Sequence, residues 1–545
     1  MVARLLIGPI LRHVGRTDAT VWVETDSPCE VEVLGTREYT WTVAGHHYAL
    51  VVLTDLEPGS TVPYQVHLDG QRVWPPLDSD WPVSVVRTLG DERPLRIAFG
   101  SCRYARAAVK LNDPHYEPDA LACFARRMAG ESPQTWPDAL LLVGDQVYAD
   151  ETSEATRRRI RAKRDITRGA KDQVADFEEY SWLYLESWTD PDVRWLLSTV
   201  PSSMIFDDHD VRDDWNTSHE WREDMRRTSW WQQRIIGGLS SYWVYQHLGN
   251  LSPDELGKDE LFQQVRSHDG DAEPLLREFA EAADREADGA KGARWSFRRD
   301  FGRTRVLVVD SRCGRILADG ARSMVSADEF AWISEQVDGD YDHLLLGTSL
   351  PWLLPRAVHD LEAWNEVMAA GEHGRRRARW AERVRRAADL EHWAAFGRSF
   401  EAVAGLLGAV ARGEHAPGTA PASVCVLSGD VHHAYAAQAQ YPDATATPVY
   451  QLTCSPLHNV VPAAMKLVFR STWSAFAERC MSTILRLTGP VPRPSLTWKR
   501  LHGPSFGNQV ATLVINGRRA QFVLERSAQP DQPNELREVA RLQLT

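Results

Sequence analysis

Four short segments of this chain contain side chains that commonly bind metal ions. Between them they supply acids, a thiol, a phenol and imidazoles, which are the usual protein ligands of transition metals and of calcium. The sequence therefore predicts a metal centre assembled from distant parts of the chain. The segments are FGSCRYA at 99–105 with Cys102 and Arg103, GDQVYAD at 144–150 with Asp145, Tyr148 and Asp150, FDDHD at 206–210, and SGDVHHAY at 428–435 with Asp430, His432 and His433.

Each segment alone has an ordinary structural explanation. A single cysteine at a strand end is usually a small buried hydrophobe, and an aspartate after a glycine is usually a turn or a helix cap. The run Asp207, Asp208, His209 and Asp210 is harder to explain in this way, because its like charges repel one another unless a cation or water compensates them. A metal ion is the simplest compensation.

These segments follow apolar runs that have the character of buried strands. Such runs, separated by long helical stretches at about 150–200, 217–295 and 356–412, predict a layered α/β or α+β core. Function is then expected at the carboxyl ends of the strands. The runs are RIAFGSC, ALLLVGD, SSMIFDD, RVLVVDS, HLLLGTS and SVCVLSGD.

The two ends of the chain follow different patterns. Residues 5–88 consist of short alternating stretches between turn residues, which predicts a β-sandwich of about ninety residues. Near the other end, residues 463–487 favour a helix, and Asn516-Gly517 is a strong hairpin signal between two strands. His359 and His392 fall in probable helices, where a histidine is more often a surface or core residue than a ligand.

Composition limits the classes of partner. The chain has 545 residues, 43% of them hydrophobic, and a formal net charge of −13, so it is globular and lacks the positive field that recruits nucleic acid or anionic membranes. We expect no nucleic-acid or membrane partner, with a local basic pocket as the alternative. Seven scattered cysteines without a CxxC pair, and no signal-peptide pattern, favour a reducing compartment, the cytoplasm. The oligomeric state is left open.

The series GSC, GDxxYxD, DDHD and SGDxHH resembles the alkaline phosphatase D (PhoD-like) family of the calcineurin-like metallophosphoesterase superfamily. The resemblance extends over most of the chain. It implies a four-layer α/β (α+β) core of two facing sheets flanked by helices, preceded by an all-β sandwich. The implied domains are a fibronectin- or immunoglobulin-like sandwich over residues 1–90 and a catalytic domain with helical insertions over residues 91–545.

The resemblance also implies which residues form the site. One metal ion would be held by Cys102, Asp145, Tyr148 and His432, and a second by Asp145, Asp208 and Asp430 with Asp145 bridging the two. His209 would be the catalytic residue, either as a proton donor to the leaving group or by orienting Asp208. Arg312 and Arg103 would bind the substrate, or would instead pair with nearby acids.

Ligand chemistry supports two different metals. A thiolate, a phenolate and an imidazole suit a transition metal, and the phenolate favours ferric iron. Carboxylates alone suit a hard divalent ion, for which calcium is expected. Zinc or manganese is the alternative at either position.

The expected function is a metal-dependent phosphoesterase that hydrolyses phosphomonoesters, phosphodiesters or both with metal-activated water, acting on a small-molecule phosphate ester. The alternative is a catalytically degenerate, phosphatase-like protein that binds a ligand or acts as a scaffold. One departure from the family is the absence of a twin-arginine signal. The segment DSRCGRILADG at 310–320 also differs from the family's usual continuation, so contacts with the substrate are expected to differ.

Overall fold

A computed structural model describes residues 3–90, 93–105, 117–290, 292–318, 321–528 and 535–545. The first part of the chain forms two four-stranded antiparallel sheets and a two-stranded pair. Alternate apolar residues of both sheets, such as Val21 and Val31, pack into one buried core between them. In spatial order the first sheet contains β1 (Leu5–Val14), β2 (Ala19–Thr25), β6 (His46–Leu53) and β5 (Trp41–Val43), the second β4 (Thr36–Tyr39), β3 (Glu30–Val33), β8 (Val66–Leu68) and β9 (Gln71–Trp74), and the pair β10 (Val85–Arg87) and β7 (Thr61–Pro63).

A six-stranded mixed sheet follows. Three parallel strands from the middle of the chain pair with an antiparallel meander from its end. The meander contains the predicted hairpin, in which Gly517 has a φ of 57° and Asn516 pairs with Arg519. In spatial order the strands are β13 (Ser202–Ile205), β12 (Ala139–Val143), β11 (Leu95–Gly100), β21 (Gln509–Asn516), β22 (Arg519–Ser527) and β23 (Leu536–Gln543).

A seven-stranded sheet packs face to face against this six-stranded sheet. An added Cβ at Gly347 would lie 3.3 Å from the side chain of Leu141, so the two sheets approach closely at this point. In spatial order its strands are β14 (Phe297–Phe301), β15 (Thr304–Val309), β16 (His343–Thr348), β17 (Ser423–Ser428), β19 (Val449–Thr453), β18 (Ala434–Gln440) and β20 (Thr497–Ser505). Strands β15, β16, β17 and β19 are parallel to one another, and each outer strand, β14, β18 and β20, is antiparallel to the strand it pairs with.

Helices fill the three predicted segments and flank the sheets, which confirms the predicted fold class. All six predicted buried strands are also present. No helix within the described ranges is both long and apolar enough to cross a bilayer. The helices are α1 (Ala120–Ala129), α2 (Glu154–Lys163), α3 (Phe177–Trp188), α4 (Pro191–Thr199), α5 (His219–Arg226), α6 (Trp231–Tyr242), α7 (Pro253–Lys258), α8 (Glu260–Ser267), α9 (Glu273–Asp284), α10 (Ala327–Gln336), α11 (Arg356–Ala369), α12 (Arg375–Ala387), α13 (Gly397–Arg412), α14 (Ala463–Thr472) and α15 (Ala475–Thr488).

Candidate metal centre

The carboxyl ends of parallel strands from both sheets meet at one place. Strands β11, β12 and β13 lead into Cys102, Asp145 and Asp208, and β17 of the other sheet leads into Asp430. Backbone and side-chain hydrogen bonds join these ends: Cys102 N donates to the carbonyl of Gly144 at 3.2 Å, and Asp430 N donates to Ser101 Oγ at 3.1 Å. The two sheets thus bring all four predicted segments together.

Sharp turns direct the predicted ligands away from their strands. Cys102, Asp145, Asp430 and His432 have φ values of 56°, 52°, 66° and 50°, in the left-handed region that residues with a side chain seldom adopt. Such conformations cost free energy and concentrate at functional sites. Gly144 is required for a related reason, because an added Cβ there would lie 2.7 Å from Cβ of Asp207.

Three buried carboxylates converge at the centre. Oxygens of Asp145, Asp207 and Asp208 lie within 4.8 Å of one another. Burial raises the pKa of Asp145 and of Asp207 well above the ordinary value for an aspartate. Among the described residues, no hydrogen-bond donor reaches Asp145 Oδ1 or Asp207 Oδ2, although both atoms are buried. Buried acceptors without donors are unfavourable, and a cation at this position would coordinate them.

The thiol and phenol predicted for the first ion are also buried here, and the predicted imidazole is half-buried beside them. Burial, and then the charge of Asp145, raises the pKa of both Cys102 and Tyr148 well above their ordinary values. The phenol oxygen of Tyr148 accepts a hydrogen bond from Asn459 Nδ2 at 3.0 Å. Burial lowers the pKa of His432 to about 4, so its imidazole is neutral at pH 7, which is the form that binds metals. A bound cation would in turn favour the thiolate and the phenolate.

Asp430 is held by a histidine that sequence reasoning did not assign to the site. His392 Nε2 lies 2.9 Å from Asp430 Oδ2, and His392 Nδ1 lies 2.6 Å from Oε1 of the buried Glu362. His392 is buried, as expected of a core histidine, but it lies between α12 and α13 and not in a helix, and it contacts a predicted ligand. No local pattern could have indicated this contact, since the partners are 38 residues apart in sequence.

Arg312 is fully buried among acids. Its Nε contacts Asp207, its Nη2 lies 3.2 Å from Asp208 Oδ1, and its Nη1 lies 2.6 Å from Glu391 Oε2. The second of the two predicted alternatives, pairing with acids, therefore describes its contacts. The guanidinium compensates part of the negative charge of the centre, and its contact with a substrate stays a prediction.

Arg103 is engaged in a similar way. Its Nε lies 2.8 Å from Asp119 Oδ2, the N-cap residue of α1, and its Nη1 donates to the carbonyl of Ser187 at 2.8 Å. These contacts hold the strand end that carries Cys102 against two helices. A substrate contact for Arg103 also stays a prediction.

His209 lies beside these carboxylates and forms an ion pair of its own. Its Nδ1 lies 2.9 Å from Asp150 Oδ1, and its ring packs on Tyr148 with the centroids 4.6 Å apart. Burial lowers the pKa of His209, but the carboxylates of Asp150 and Asp208 outweigh burial and raise the pKa well above the ordinary value for a histidine. The imidazole can therefore hold a proton at Nε2 beside the centre.

Asp210, the last acid of its segment, organises the backbone. Its carboxylate accepts hydrogen bonds from the backbone N–H groups of Asp145 at 3.0 Å, Val147 at 3.2 Å and Asp207 at 2.9 Å. It thus fixes the loop after β12 against the loop after β13. No feature of the sequence separates this role from that of a ligand.

Comparisons with known proteins agree with this geometry. Residues 2–86 match a family described as a domain of unknown function (DUF7800), and residues 114–266, which include the GDQVYAD and FDDHD segments, match the PhoD-like phosphatase family. A sequence search of curated proteins found no match.

Two solved structures are similar to this chain in fold. PhoD matches with a TM-score of 0.55 at 11% identity, over 98% of this chain and 92% of PhoD. A purple acid phosphatase from yellow lupin (Lupinus luteus) seeds matches with a TM-score of 0.47 at 11% identity, over 95% of this chain and 72% of that protein. The chain therefore has the fold of PhoD, and its residues 114–266 match the PhoD-like phosphatase family.

Proposed function

We propose that this protein is a metal-dependent phosphoesterase that hydrolyses phosphomonoesters, phosphodiesters or both. The observation that carries the proposal is the buried group of Asp145, Asp207 and Asp208, in which Asp145 Oδ1 and Asp207 Oδ2 have no hydrogen-bond donor among the described residues. Acids that are desolvated in this way are stable when they coordinate a cation. The match of residues 114–266 to PhoD-like phosphatases supports a phosphate ester as the substrate.

The proposed ligands divide into two sets. Cys102, Asp145, Tyr148 and His432 would hold a transition metal, for which we propose ferric iron, and Asp145, Asp208 and Asp430 would hold a hard divalent ion, for which we propose calcium. Zinc or manganese is the alternative in either set. When bound, the ions would supply an activated water and neutralise charge on the phosphoryl group.

The chain's own residues have separate roles in this proposal. His209, with Nδ1 held by Asp150, would carry the proton that the leaving group takes up from Nε2. Arg312 would fix Asp208 and compensate its charge. His392 would fix the carboxylate of Asp430 in the orientation that a metal requires.

We further propose the cytoplasm as the site of action. All seven cysteines lie in the described residues and are free, as expected where thiols are kept reduced.

The proposal is tested with Asp145→Asn and His432→Ala. We expect protein purified without added metal to contain bound metal by elemental analysis and to hydrolyse p-nitrophenyl phosphate, bis(p-nitrophenyl) phosphate or both. Each substitution should lower kcat/KM by at least about a thousandfold, the equivalent of several kcal/mol of transition-state stabilisation. A chelator should have the same effect on the unsubstituted protein.

Matched controls are Asp443→Asn and His219→Ala, since both residues are exposed. Both control proteins should keep full activity. Bound metal without hydrolysis of either ester would favour the degenerate, ligand-binding alternative. Equal activity of all five proteins would exclude the site itself.

A further inference from the structure

The helical pair α14 and α15, which we call the 463–488 hairpin, leaves large apolar side chains uncovered. Leu467, Phe476 and Leu487 are 70%, 78% and 83% exposed. No residue of α14 is buried, and in α15 only Leu485 is. Several large apolar side chains exposed on one short segment indicate an interaction surface. The exposed apolar residues of the hairpin are Met465, Leu467, Val468, Phe476, Ile484 and Leu487.

Other residues of the hairpin attach it to the rest of the protein. Leu485 belongs to a small buried cluster with Trp364 and Met368. Phe469 stacks on His433 with the ring centroids 5.0 Å apart, and Arg470 lies over the ring of Phe506. The hairpin is therefore held in place by these contacts, and the core does not account for its exposed apolar residues.

The surroundings of the hairpin are basic in an otherwise acidic chain. Residues 460–500 contain seven lysines or arginines and one acid, Glu478, whereas the whole chain has a net charge of −13. Within the described residues, none of these seven cations lies within 4.0 Å of a carboxylate. They are Lys466, Arg470, Arg479, Arg486, Arg493, Lys499 and Arg500.

We propose that the 463–488 hairpin docks this protein on the surface of an anionic lipid bilayer. Short helices that project Leu, Phe and Ile among Lys and Arg lie in the interface of a membrane, where the apolar residues enter the acyl boundary and the cations contact lipid phosphates. Charge complementarity also selects the orientation, because the acidic remainder of the chain is repelled by anionic lipid. This contact is peripheral and requires no spanning helix.

The 463–488 hairpin lies close to the candidate metal centre. His433, on which Phe469 stacks, follows the proposed ligand His432 directly, and Asn459, just before the hairpin, contacts Tyr148. A bilayer bound to the hairpin would therefore lie beside the centre. The proposal goes beyond the proposed phosphoesterase activity and does not depend on it.

Vesicle binding of the full-length protein tests the proposal. The probe is vesicles of phosphatidylglycerol and phosphatidylcholine in equal parts, compared with phosphatidylcholine alone, in buffer without added calcium. We expect sedimentation with the anionic vesicles only. Raising the salt from about 0.1 M to about 1 M, which shortens the Debye length from about 10 Å to about 3 Å, should release most of the protein.

Two sets of substitutions separate the apolar and charged contributions. The triple variant Leu467→Asp, Phe476→Asp, Leu487→Asp should lower the partition coefficient at least about tenfold, and so should Lys466→Gln, Arg479→Gln, Arg486→Gln. The matched control is Tyr39→Asp, Leu77→Asp, Val83→Asp, which places the same charge on exposed apolar residues of the first domain and loses only the nonspecific share of binding.

Several outcomes would overturn the proposal. The first is no binding to anionic vesicles, and the second is an equal loss of vesicle binding in the control and hairpin variants. The third is a dimer in solution that the apolar substitutions in the hairpin dissociate, because a second copy of the chain would then cover the hairpin. Hydrolysis of bis(p-nitrophenyl) phosphate is measured in parallel, and the hairpin variants should retain it. Failure to bind vesicles with hydrolysis intact would reject the docking proposal alone.

Discussion

His392 shows how a residue outside the proposed ligand set controls a ligand. Its two ring nitrogens contact carboxylates on opposite sides, Asp430 at 2.9 Å and Glu362 at 2.6 Å. Burial by itself lowers the pKa of His392, but Glu362 and the hydrogen bond to Asp430 raise the pKa well above the ordinary value. A doubly hydrogen-bonded imidazolium of this kind fixes the rotamer of Asp430, and residues in such positions influence metal affinity strongly.

Replacing His392 with glutamine should therefore weaken metal binding without removing a ligand. We expect the affinity for the divalent ion to fall about 10- to 100-fold, measured by titrating metal into chelator-treated protein. His392→Ala should bind more weakly than His392→Gln, because glutamine can still donate to Asp430. His415→Gln, at an exposed ion pair, serves as the control. Unchanged affinity in both His392 variants would show that Asp430 is either correctly held without His392 or not a ligand.

At the scale of the element, α11 carries a histidine that makes its packing sensitive to pH. His359 is 3% exposed and lies edge-on to Phe400 and Trp498, with ring centroids 4.8 and 5.0 Å away. Burial, and then the neighbouring charge of Arg356, lowers the pKa of His359 to about 3. The folded protein therefore keeps this imidazole neutral under conditions in which the unfolded chain, with a pKa near 6.5, takes up a proton.

The sign of the pH dependence follows from this difference. Below about pH 6.5 the unfolded state binds the proton and the folded state does not, so acidification destabilises the fold until the pH reaches the folded pKa of about 3. For His359 alone, the free energy of unfolding should fall by about 2 kcal/mol between pH 7 and pH 5. Above pH 7 the contribution disappears.

The substitution His359→Leu tests this contribution. The variant should show a smaller loss of stability between pH 7 and pH 5 than the unsubstituted protein, in urea unfolding followed by circular dichroism. His219→Leu, at an exposed position, should leave the pH dependence unchanged. An identical dependence in His359→Leu and the unsubstituted protein would contradict a neutral buried imidazole.

At the scale of the whole molecule, the amino-terminal sheets are joined to the mixed-sheet core by buried polar contacts. Arg12 of β1 is 1% exposed, and it donates to the carbonyls of Tyr245 at 2.9 Å and Gln246 at 2.6 Å. Burial lowers the pKa of Arg12 to about 9, which reflects the cost of removing this cation from water. Tyr64 donates to the carbonyl of Ser198 at 2.6 Å in the same interface.

Arg12→Met should destabilise the protein by about 3 kcal/mol, because it leaves two buried carbonyls without a charged donor. The measurement is urea unfolding, with Arg4→Met as the control, since Arg4 is exposed and its ion pair with Asp26 contributes little. A change of less than about 0.5 kcal/mol for Arg12→Met, within the range of surface substitutions, would show that these carbonyls do not depend on the guanidinium.

Local features of this protein can be predicted from its sequence alone. Strand ends, helical insertions and the Asn516-Gly517 hairpin were predicted because alternation, apolar runs and turn residues depend on near neighbours. The residue types of the four segments also indicated a metal centre, since donor chemistry is a property of the side chains themselves. The domain boundaries at residues 90 and 91 and the ligand assignments stay predictions.

Which distant groups meet depends on how the sheets and helices pack together. Arg312 contacts Asp207 across 105 residues of sequence, and His392 contacts Asp430 across 38. Packing of the two sheets sets these pairs, and no local pattern records them. The same holds for the 463–488 hairpin: the sequence predicts one helix over residues 463–487, whereas the structure has two, and whether their apolar side chains are covered depends on where the sheets leave room for them.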